Sequence, residues 1–392
     1  MIILAIETSC DETAVAVVEG TGDIYESEMN IRSNVVHSQI DVHAPYGGVY
    51  PSLAKREHAK NLVPVCLRAL DEAGYEMSES TLADAPEDVQ ENIEHILERE
   101  PELYAAMLDA LPLARPDIDA IAVTHGPGLE PALWVGINFA RALTTLWGLP
   151  IVPVNHMEGH ILSGFSKGNT FPLGSHVVPF PSLALLVSGG HTELVLMHDL
   201  FSCTFIGGTR DDAVGEAFDK VARVLDLPYP GGPAISKLAN DAPPRTDEDI
   251  SFPRPMLHSG DYDFSFSGIK TSVLYAAKKF EALSETTKRV FAREFQDAVI
   301  EVLVKKTIAA AKEYNVHALI LGGGVSANTA LRDVFTQAVA EELPDISLHL
   351  PDKRATTDNA AMIGLSGYFR FLRGDTVDPE HVSAHGNLSL EE

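Results

Sequence analysis

One order of elements occurs twice along this chain, and it restricts the possible folds more than any other feature of the sequence. Ile2 to Ile6 reads as a buried strand, Glu7 to Thr13 as a polar turn and Ala14 to Val18 as the returning strand. A helix over Pro51 to Ala73 follows, with Leu53, Ala59, Leu62, Val63, Cys66, Leu67 and Leu70 at helical spacing. A strand at Ala120 to Thr124 then enters Gly126-Pro127-Gly128 and a helix over Glu130 to Trp147. In the second half, Ser182 to Met197 is again a strand hairpin, turning at Ser188-Gly189-Gly190-His191-Thr192. Helices near Ala213 to Leu225 and Thr286 to Tyr314 follow. A strand at Ala318 to Leu321 then enters Gly322-Gly323-Gly324 and a helix from Asn328. This is a structural duplication rather than a sequence repeat. Two such α/β halves face each other across a cleft, and small ligands sit at the carboxyl ends of the strands.

The 392 residues suffice for two domains with real cores. The apolar start, Met1 to Glu7, is too short for a signal peptide or a membrane helix, which predicts a soluble protein with no membrane association. Cys10, Cys66 and Cys203 stand far apart, which fits neither a disulfide framework nor a CxxC metal site and predicts a cytoplasmic location. The net charge of -27 repels phosphate overall. A nucleic-acid substrate therefore requires a local basic patch or a partner that supplies one. The candidate patches are Lys55-Arg56 with Lys60, Lys278-Lys279, and Lys288-Arg289 with Arg293; the plainer reading of each is a solvated helix face.

Residues Glu76 to Arg115 stand apart, with eleven acids against Arg99 and Arg115. Val89, Ile93, Ile96 and Leu97 make one helical stripe, and Leu103, Met107, Leu108 and Leu111 another, with Pro101 between them. The pattern predicts an inserted helical hairpin. It is either a solubilising insert packed on its lobe or a partner surface.

Chemistry concentrates at four places. His156 and His160 share a helical face and suit one metal, but two histidines make half a site, and surface or capping histidines satisfy the same spacing. Glu158 is misplaced for the HExxH of zinc peptidases. Asp358, entering the apolar helix Ala360 to Phe371, reads as an N-cap, or as a third ligand if the fold brings it to the histidines. Two histidines and a carboxylate leave positions open and suit Zn or Fe(II). The turns Ser188-Gly189-Gly190 and Gly322-Gly323-Gly324 suit an anion, although neither is a Walker A loop. Tyr229 to Pro233 is a rigid turn that would wall a nucleotide pocket. Three acids, Glu7, Asp11 and Glu12, crowd one seven-residue turn, where a carboxylate would position a metal-bound substrate or take a proton from an amine.

Eight segments come in a fixed order: Ile6 to Thr13, His156 to His160, Val187 to Thr192, Gly215 to Lys220, Tyr229 to Pro233, Asp263 to Gly268, Gly322 to Asn328 and Thr357 to Asn359. Together they closely resemble the tRNA N6-threonylcarbamoyladenosine transferase family (TsaD type) over nearly the whole chain outside the acidic insert and the last few residues. The resemblance implies an α/β, two-lobed, actin-like fold of the sugar-kinase and heat-shock ATPase type, with a duplicated lobe and a central cleft. The lobes would span 1–153, with the insert at 76–115, and 154–357; residues 358–392 would return to the first lobe as a helix and tail. It implies one divalent metal, Fe(II) or Zn, on His156, His160 and Asp358. The nucleotide of threonylcarbamoyl-AMP would be held by Leu186, Val187, Ser188, Gly189 and Gly190, by Asp219, Gly232 and Ser236, and by Asn328. Asp11 or Glu12 would orient the donor or accept the amine proton. The acceptor would be N6 of the adenosine 3′ to the anticodon in tRNAs reading ANN codons, with AMP released.

The insert is not typical of that family. It follows a helix that, by resemblance, lies near the contact with an inactive paralogue, so it would replace, extend or block that contact. The segment after Arg373 has no Lys or Arg, which argues against unaided tRNA docking. The expected partners are therefore tRNA with an inactive paralogue and an accessory ATPase, or a second copy of the chain. An actin-like ATPase or kinase, a metallopeptidase and an inactive scaffold are the competing readings. Retention of all three metal ligands opposes the scaffold.

Overall fold

The computed structural model describes residues 1–24, 26–174, 179–246 and 250–391. Its first lobe is built on a meander. β1 (Ile2–Glu7) is buried along almost its whole length, as befits a central strand covered on both faces. It pairs antiparallel with β2 (Glu12–Gly22), Ile6 opposite Val15, and β2 pairs with β3 (Glu26–Ser38). The turn leads through the short helix α1 (Ile40–His43) to α2 (Pro51–Glu72), which begins on proline, where the missing N–H is no loss. The insert follows as α3 (Glu87–Ile96) and α4 (Pro101–Ala110). β4 (Ala120–Gly126), α5 (Glu130–Trp147) and β5 (Ile151–Asn155) add two parallel strands on the far side of β1. α6 (His156–Ser163) and β6 (Thr170–Gly174) complete this half, β6 pairing with β3.

The second half repeats the plan. β7 (Ser182–Val187), β8 (Thr192–Met197) and β9 (Cys203–Gly208) form a meander, followed by α7 (Val214–Val224), α8 (Gly231–Asn240), α9 (Ser267–Ala277) and α10 (Glu285–Glu313). β10 (Ala318–Gly322), α11 (Thr329–Glu342) and β11 (Ser347–His349) add parallel strands beside β7, and α12 (Ala360–Arg373) ends the run. The sheets read β5-β4-β1-β2-β3-β6 and β11-β10-β7-β8-β9. Apart from β6 the two orders are the same, so the turn after β1 corresponds to the turn after β7, and the glycines after β4 to those after β10.

Apolar side chains form three layers. One packs α2 to α5 on the first sheet, and a second packs α7 to α11 on the second sheet. The third lies between the sheets and contains α6 and α12. α12 rests on the first sheet because two of its residues lack side chains. A Cβ on Gly364 would lie 2.5 Å from Val18, and one on Gly367 would lie 2.5 Å from Ala122.

The insert is the predicted pair of helices, and both stripes turn inward. Ile93, Leu97, Leu103, Met107 and Leu111 are fully or almost fully buried against the first lobe. Buried Glu100 fixes the junction, meeting Lys55 Nζ at 2.8 Å and accepting Asn138 Nδ2 at 3.0 Å. The apolar stripes thus pack on their own lobe and offer no partner surface. Gly367→Leu is expected to destabilise the protein by about 1–3 kcal/mol by forcing α12 off the sheet. Gly268→Ala, where an added Cβ meets no atom within 4 Å, is expected to leave the urea midpoint unchanged or slightly raised.

Candidate functional site

β5 ends at Asn155, whose side chain accepts the Met157 N–H at 2.9 Å and starts α6. His156 and His160 follow one turn apart, their rings edge to face with centroids 4.6 Å apart. Asp358 arrives from the loop before α12. The cap of that helix is Asn359, which accepts the Met362 N–H at 3.2 Å and leaves the Asp358 carboxylate to the histidines. Asp358 Oδ1 lies 3.1 Å from His160 Nε2 and 3.4 Å from His156 Nε2. One ligand atom from each of the three lies within 4.8 Å of the others, a possible metal site of two nitrogen donors and one oxygen.

The opposite edge of the His156 ring is also held. Its Nδ1 lies 3.0 Å from Glu7 Oε2 and 3.2 Å from Ser9 Oγ. Glu7 is fully buried at the end of β1, where its carboxylate also accepts Thr124 Oγ1 at 2.6 Å and the Ser9 N–H at 2.5 Å. Burial pushes the Glu7 carboxyl up, but the His156 charge and hydrogen bond outweigh it and hold it below its ordinary value. Burial likewise disfavours the His156 cation, and Glu7 and then Asp358 overcome it, lifting this histidine well above its usual value. Asp358, although buried, is held well below the usual carboxylate range by His156 and His160. His160 Nδ1 is buried without a hydrogen-bond partner among the described residues. A carboxylate behind one histidine, with both Nε2 atoms near the Asp358 carboxylate, is a donor set that suits a divalent metal. Glu158 takes no part: it bonds Ser366 Oγ at 2.6 Å and Arg370 at 2.6 Å, fastening α6 to α12, so it is not placed as a peptidase base.

Asp11 and Glu12 do not join the metal set. They lie on the first-lobe wall of the cleft. Burial, then the charges of Asp358 and Asp11, push the Glu12 carboxyl up to about 10. Asp11 acts electrostatically on Asp219 and Tyr229 across the cleft.

The second-lobe wall holds a cavity of about 400 Å³, lined by Gly189, Asp219, Gly232, Ser236, Asn328 and neighbouring residues. Leu186 and Val187 are buried strand residues at the end of β7 and do not line it. The turn is closed by Ser188 Oγ, which accepts the His191 N–H at 3.0 Å. Asp219 Oδ1 accepts the Gly231 N–H at 2.7 Å and fixes the start of α8; burial raises this carboxyl above its usual value. Asn328 caps α11 through its oxygen and donates its Nδ2 to Ser236 Oγ at 2.9 Å and Gln296 Oε1 at 3.0 Å. Gln296 stands in no motif of the sequence, and the buried role of Glu7 is hidden there among its acidic neighbours. Gly189, Gly232 and Gly324 have ordinary φ angles, and a Cβ at any of them would meet nothing within 4 Å. The free fold does not require glycine at these positions, and what they leave open is the cavity. Gly323 differs, with φ +87°, and lies tight against the Val187 carbonyl. A recess of about 510 Å³ between the insert and α5 shares no residue with this site.

The family model for tRNA N6-adenosine threonylcarbamoyltransferase matches residues 30–82 and 85–365. The tRNA N6-adenosine threonylcarbamoyltransferase of Moorella thermoacetica is 42% identical over 390 residues, covering 99% of this chain and 97% of that one. The protein of the same description from Thermosipho africanus is 42% identical over 390 residues, with all of both chains covered. Among solved structures, T. kodakarensis HypF superposes with a TM-score of 0.50 at 12% identity, over 95% of this chain and 48% of that one, a likeness of fold alone. The duplicated strand order and the returning helix α12 are those of the actin-like fold. On the strength of the family match and of relatives aligned along their whole length, this chain belongs to the tRNA N6-adenosine threonylcarbamoyltransferase family.

Proposed function

We propose that the chain transfers the threonylcarbamoyl group of threonylcarbamoyl-AMP to N6 of the adenosine 3′ to the anticodon in tRNAs reading ANN codons, releasing AMP, and that it does so in the cytoplasm. The observation that carries this reading is the adjacency of the two halves of the site. His191 of the β7–β8 turn lies within electrostatic reach of His156, His160 and Asp358, and Gly189 of the same turn lines the cavity, which supports one donor spanning both.

Two helix starts, Gly231–Gly232 of α8 and Asn328–Thr329 of α11, border the cavity, and their N–H dipoles favour the adenylate phosphate and its leaving charge. The free oxygen of Asp219 suits a ribose hydroxyl, and Ser236 and Asn328 are fixed by Gln296 to hold the nucleotide. Gly189 and Gly190 let the turn backbone approach the donor. Asp11 and Glu12 orient the threonyl end from the opposite wall. A metal on His156, His160 and Asp358, which we assign as Fe(II) or Zn, would polarise and align the donor. Glu7 holds the His156 ring with Nε2 toward Asp358 and raises its basicity. An exocyclic amine is a poor nucleophile, so the rate depends on this positioning. The overall charge of -27 leaves the tRNA surface to a partner, which we assign as an inactive paralogue with an accessory ATPase, or a second copy.

The direct test follows label from threonylcarbamoyl-AMP onto unmodified tRNA. Metal-depleted protein is expected to transfer nothing and to recover on adding metal back, whereas transfer undiminished by stripping would refute the metal assignment. Glu7→Gln is expected to lower metal affinity by about 10–100-fold without changing donor affinity. Against the effect of burial, Glu7 and Asp358 raise His156 well above its ordinary value, which favours the proton on this ring that a metal would displace. Calorimetry in buffers of different ionisation enthalpy is expected to find about one proton released per metal, with affinity rising as pH rises toward the lifted His156 value. Asp11→Ala with full turnover and normal donor binding would remove Asp11 from the mechanism.

A further inference from the structure

The turn between β7 and β8 has a second face. Gly189 opens onto the nucleotide cavity, whereas Gly190, His191 and Glu193 line a separate cavity of about 520 Å³. Met157, next to the ligand His156, lines it from α6, and residues 387–391 line it opposite. That segment is tied to both lobes. The His385 N–H donates to the His125 carbonyl at 2.8 Å, Asn155 Nδ2 to the Ser389 carbonyl at 3.1 Å, and the Phe205 N–H to Glu391 Oε1 at 2.9 Å.

Glu193 is the anomaly of this cavity. Along β8, Leu194 and Leu196 enter the second-lobe core, while Val195 and Met197 enter the layer between the sheets. Glu193 occupies the same row as Val195 and Met197, one step nearer the turn, by the two-residue period of a strand. Glu193 itself is half-buried at the mouth of this apolar row, where a carboxylate is disfavoured unless something pairs with it. Among the described residues nothing bonds its side chain, and burial alone raises its carboxyl above the ordinary value. A carboxylate so placed beside a catalytic turn is a candidate for a bond made only with substrate.

The occupant is constrained by the rest of the lining. Asp211 and Glu391 add negative charge, which excludes a phosphate group. Leu390, Met157 and the half-exposed ring of Phe205 supply flat apolar contact, as an unstacked nucleobase requires. Resting on the donor reading given above, we propose that this cavity receives the acceptor adenine and that Glu193 binds its exocyclic amine and takes the amine proton. The N6 lone pair forms the bond to the carbamoyl carbon. The bond from that carbon to the adenylate oxygen breaks, and AMP leaves with the electron pair into its own cavity. One N6 proton passes to a Glu193 oxygen and then to water. Amine and acyl group thus meet across one turn, with the tRNA backbone outside.

The test is single-turnover transfer from preformed threonylcarbamoyl-AMP to unmodified tRNA by the metal-loaded protein, with its partners present, as a function of pH. Donor affinity is measured separately without tRNA. Glu193→Gln is expected to keep the donor affinity, to slow transfer about 100-fold and to lose the acidic limb of the pH–rate profile. Phe205→Ala, at a half-exposed position, is expected to raise KM for tRNA at unchanged donor affinity. Wild-type rate and an unchanged acidic limb in Glu193→Gln, or an unchanged KM in Phe205→Ala, would overturn the proposal. A wild-type protein that neither binds the donor nor transfers would instead overturn the donor reading beneath it.

Discussion

A carboxylate buried at the end of the central strand orders the site around it. Glu7 is fully buried and has three polar contacts: Thr124 Oγ1 from β4, the Ser9 N–H, and His156 Nδ1 at the start of α6. Removing a charge from water is strongly unfavourable unless every lone pair is met, so this arrangement has little freedom. It joins three segments distant in sequence and fixes which edge of His156 faces Asp358. Without Glu7 the histidine would keep its place on the helix but lose the orientation of its ring. Against the effect of burial, the opposed charges of Glu7, His156 and Asp358 shift one another toward their ionised forms.

The second constraint is close approach. Gly322 and Gly323 let the end of β10 lie against the His160 carbonyl and the Val187 carbonyl, so α6 and the β7–β8 turn share one support. On the first lobe Gly128 lies against Ser9 in the corresponding place. Each pair is the glycine turn of a parallel strand packed on the tip of the neighbouring hairpin, and the duplication carries this contact with it. The exceptions are informative. Gly189, Gly232 and Gly324 press against nothing, and they border the cavity. Glycines required for packing are thus separated from glycines that border the cavity by what a methyl group would touch.

Much of this was legible in the sequence, for identifiable reasons. Strands β1 and β7 and helices α2, α5, α10 and α12 carry apolar residues at one clear period, and their limits fall within a few residues of those expected. β3 was not anticipated because its sequence, rich in Asn, Ser and charged residues, pairs through its backbone with half its side chains exposed. β9, six residues ending in two glycines, has too few strand-forming side chains to announce itself. The rigid turn expected at Tyr229 to Pro233 opens directly into α8, since proline and glycine are as compatible with a helix start as with a loop. Asp358 was ambiguous between cap and ligand because the two roles share a residue type and a position. Only the placement of Asn359 as the cap separates them. The stripes of the insert were plain, but periodicity cannot tell a face packed on its own lobe from one awaiting a partner.

Charge connects the fold to the size of its substrate. Several basic residues of the chain are committed to internal pairs. Lys55 meets Glu100, Arg245 and Arg254 converge on buried Glu294, Arg210 bridges Asp261 and Asp263, and Lys306 is almost wholly enclosed by the same acidic loop. The Arg245, Arg254 and Lys306 pairs pin the long segment between α8 and α9 onto α10, and all of these pairs withdraw positive charge from the surface. Of the three basic clusters in the sequence, the first is therefore depleted by its own lobe. The pair at the end of α9 keeps a different neighbourhood: Lys278 lies over the exposed ring of Tyr275 at 5.9 Å, close in sequence to the half-exposed Phe280. Exposed aromatic rings beside lysines are the elements from which RNA contacts are made, but one such patch on a chain of net charge -27 cannot hold a tRNA by counterion release. The basic side chains committed to these internal pairs serve the fold, and the net charge that remains opposes a large anionic substrate over most of the surface.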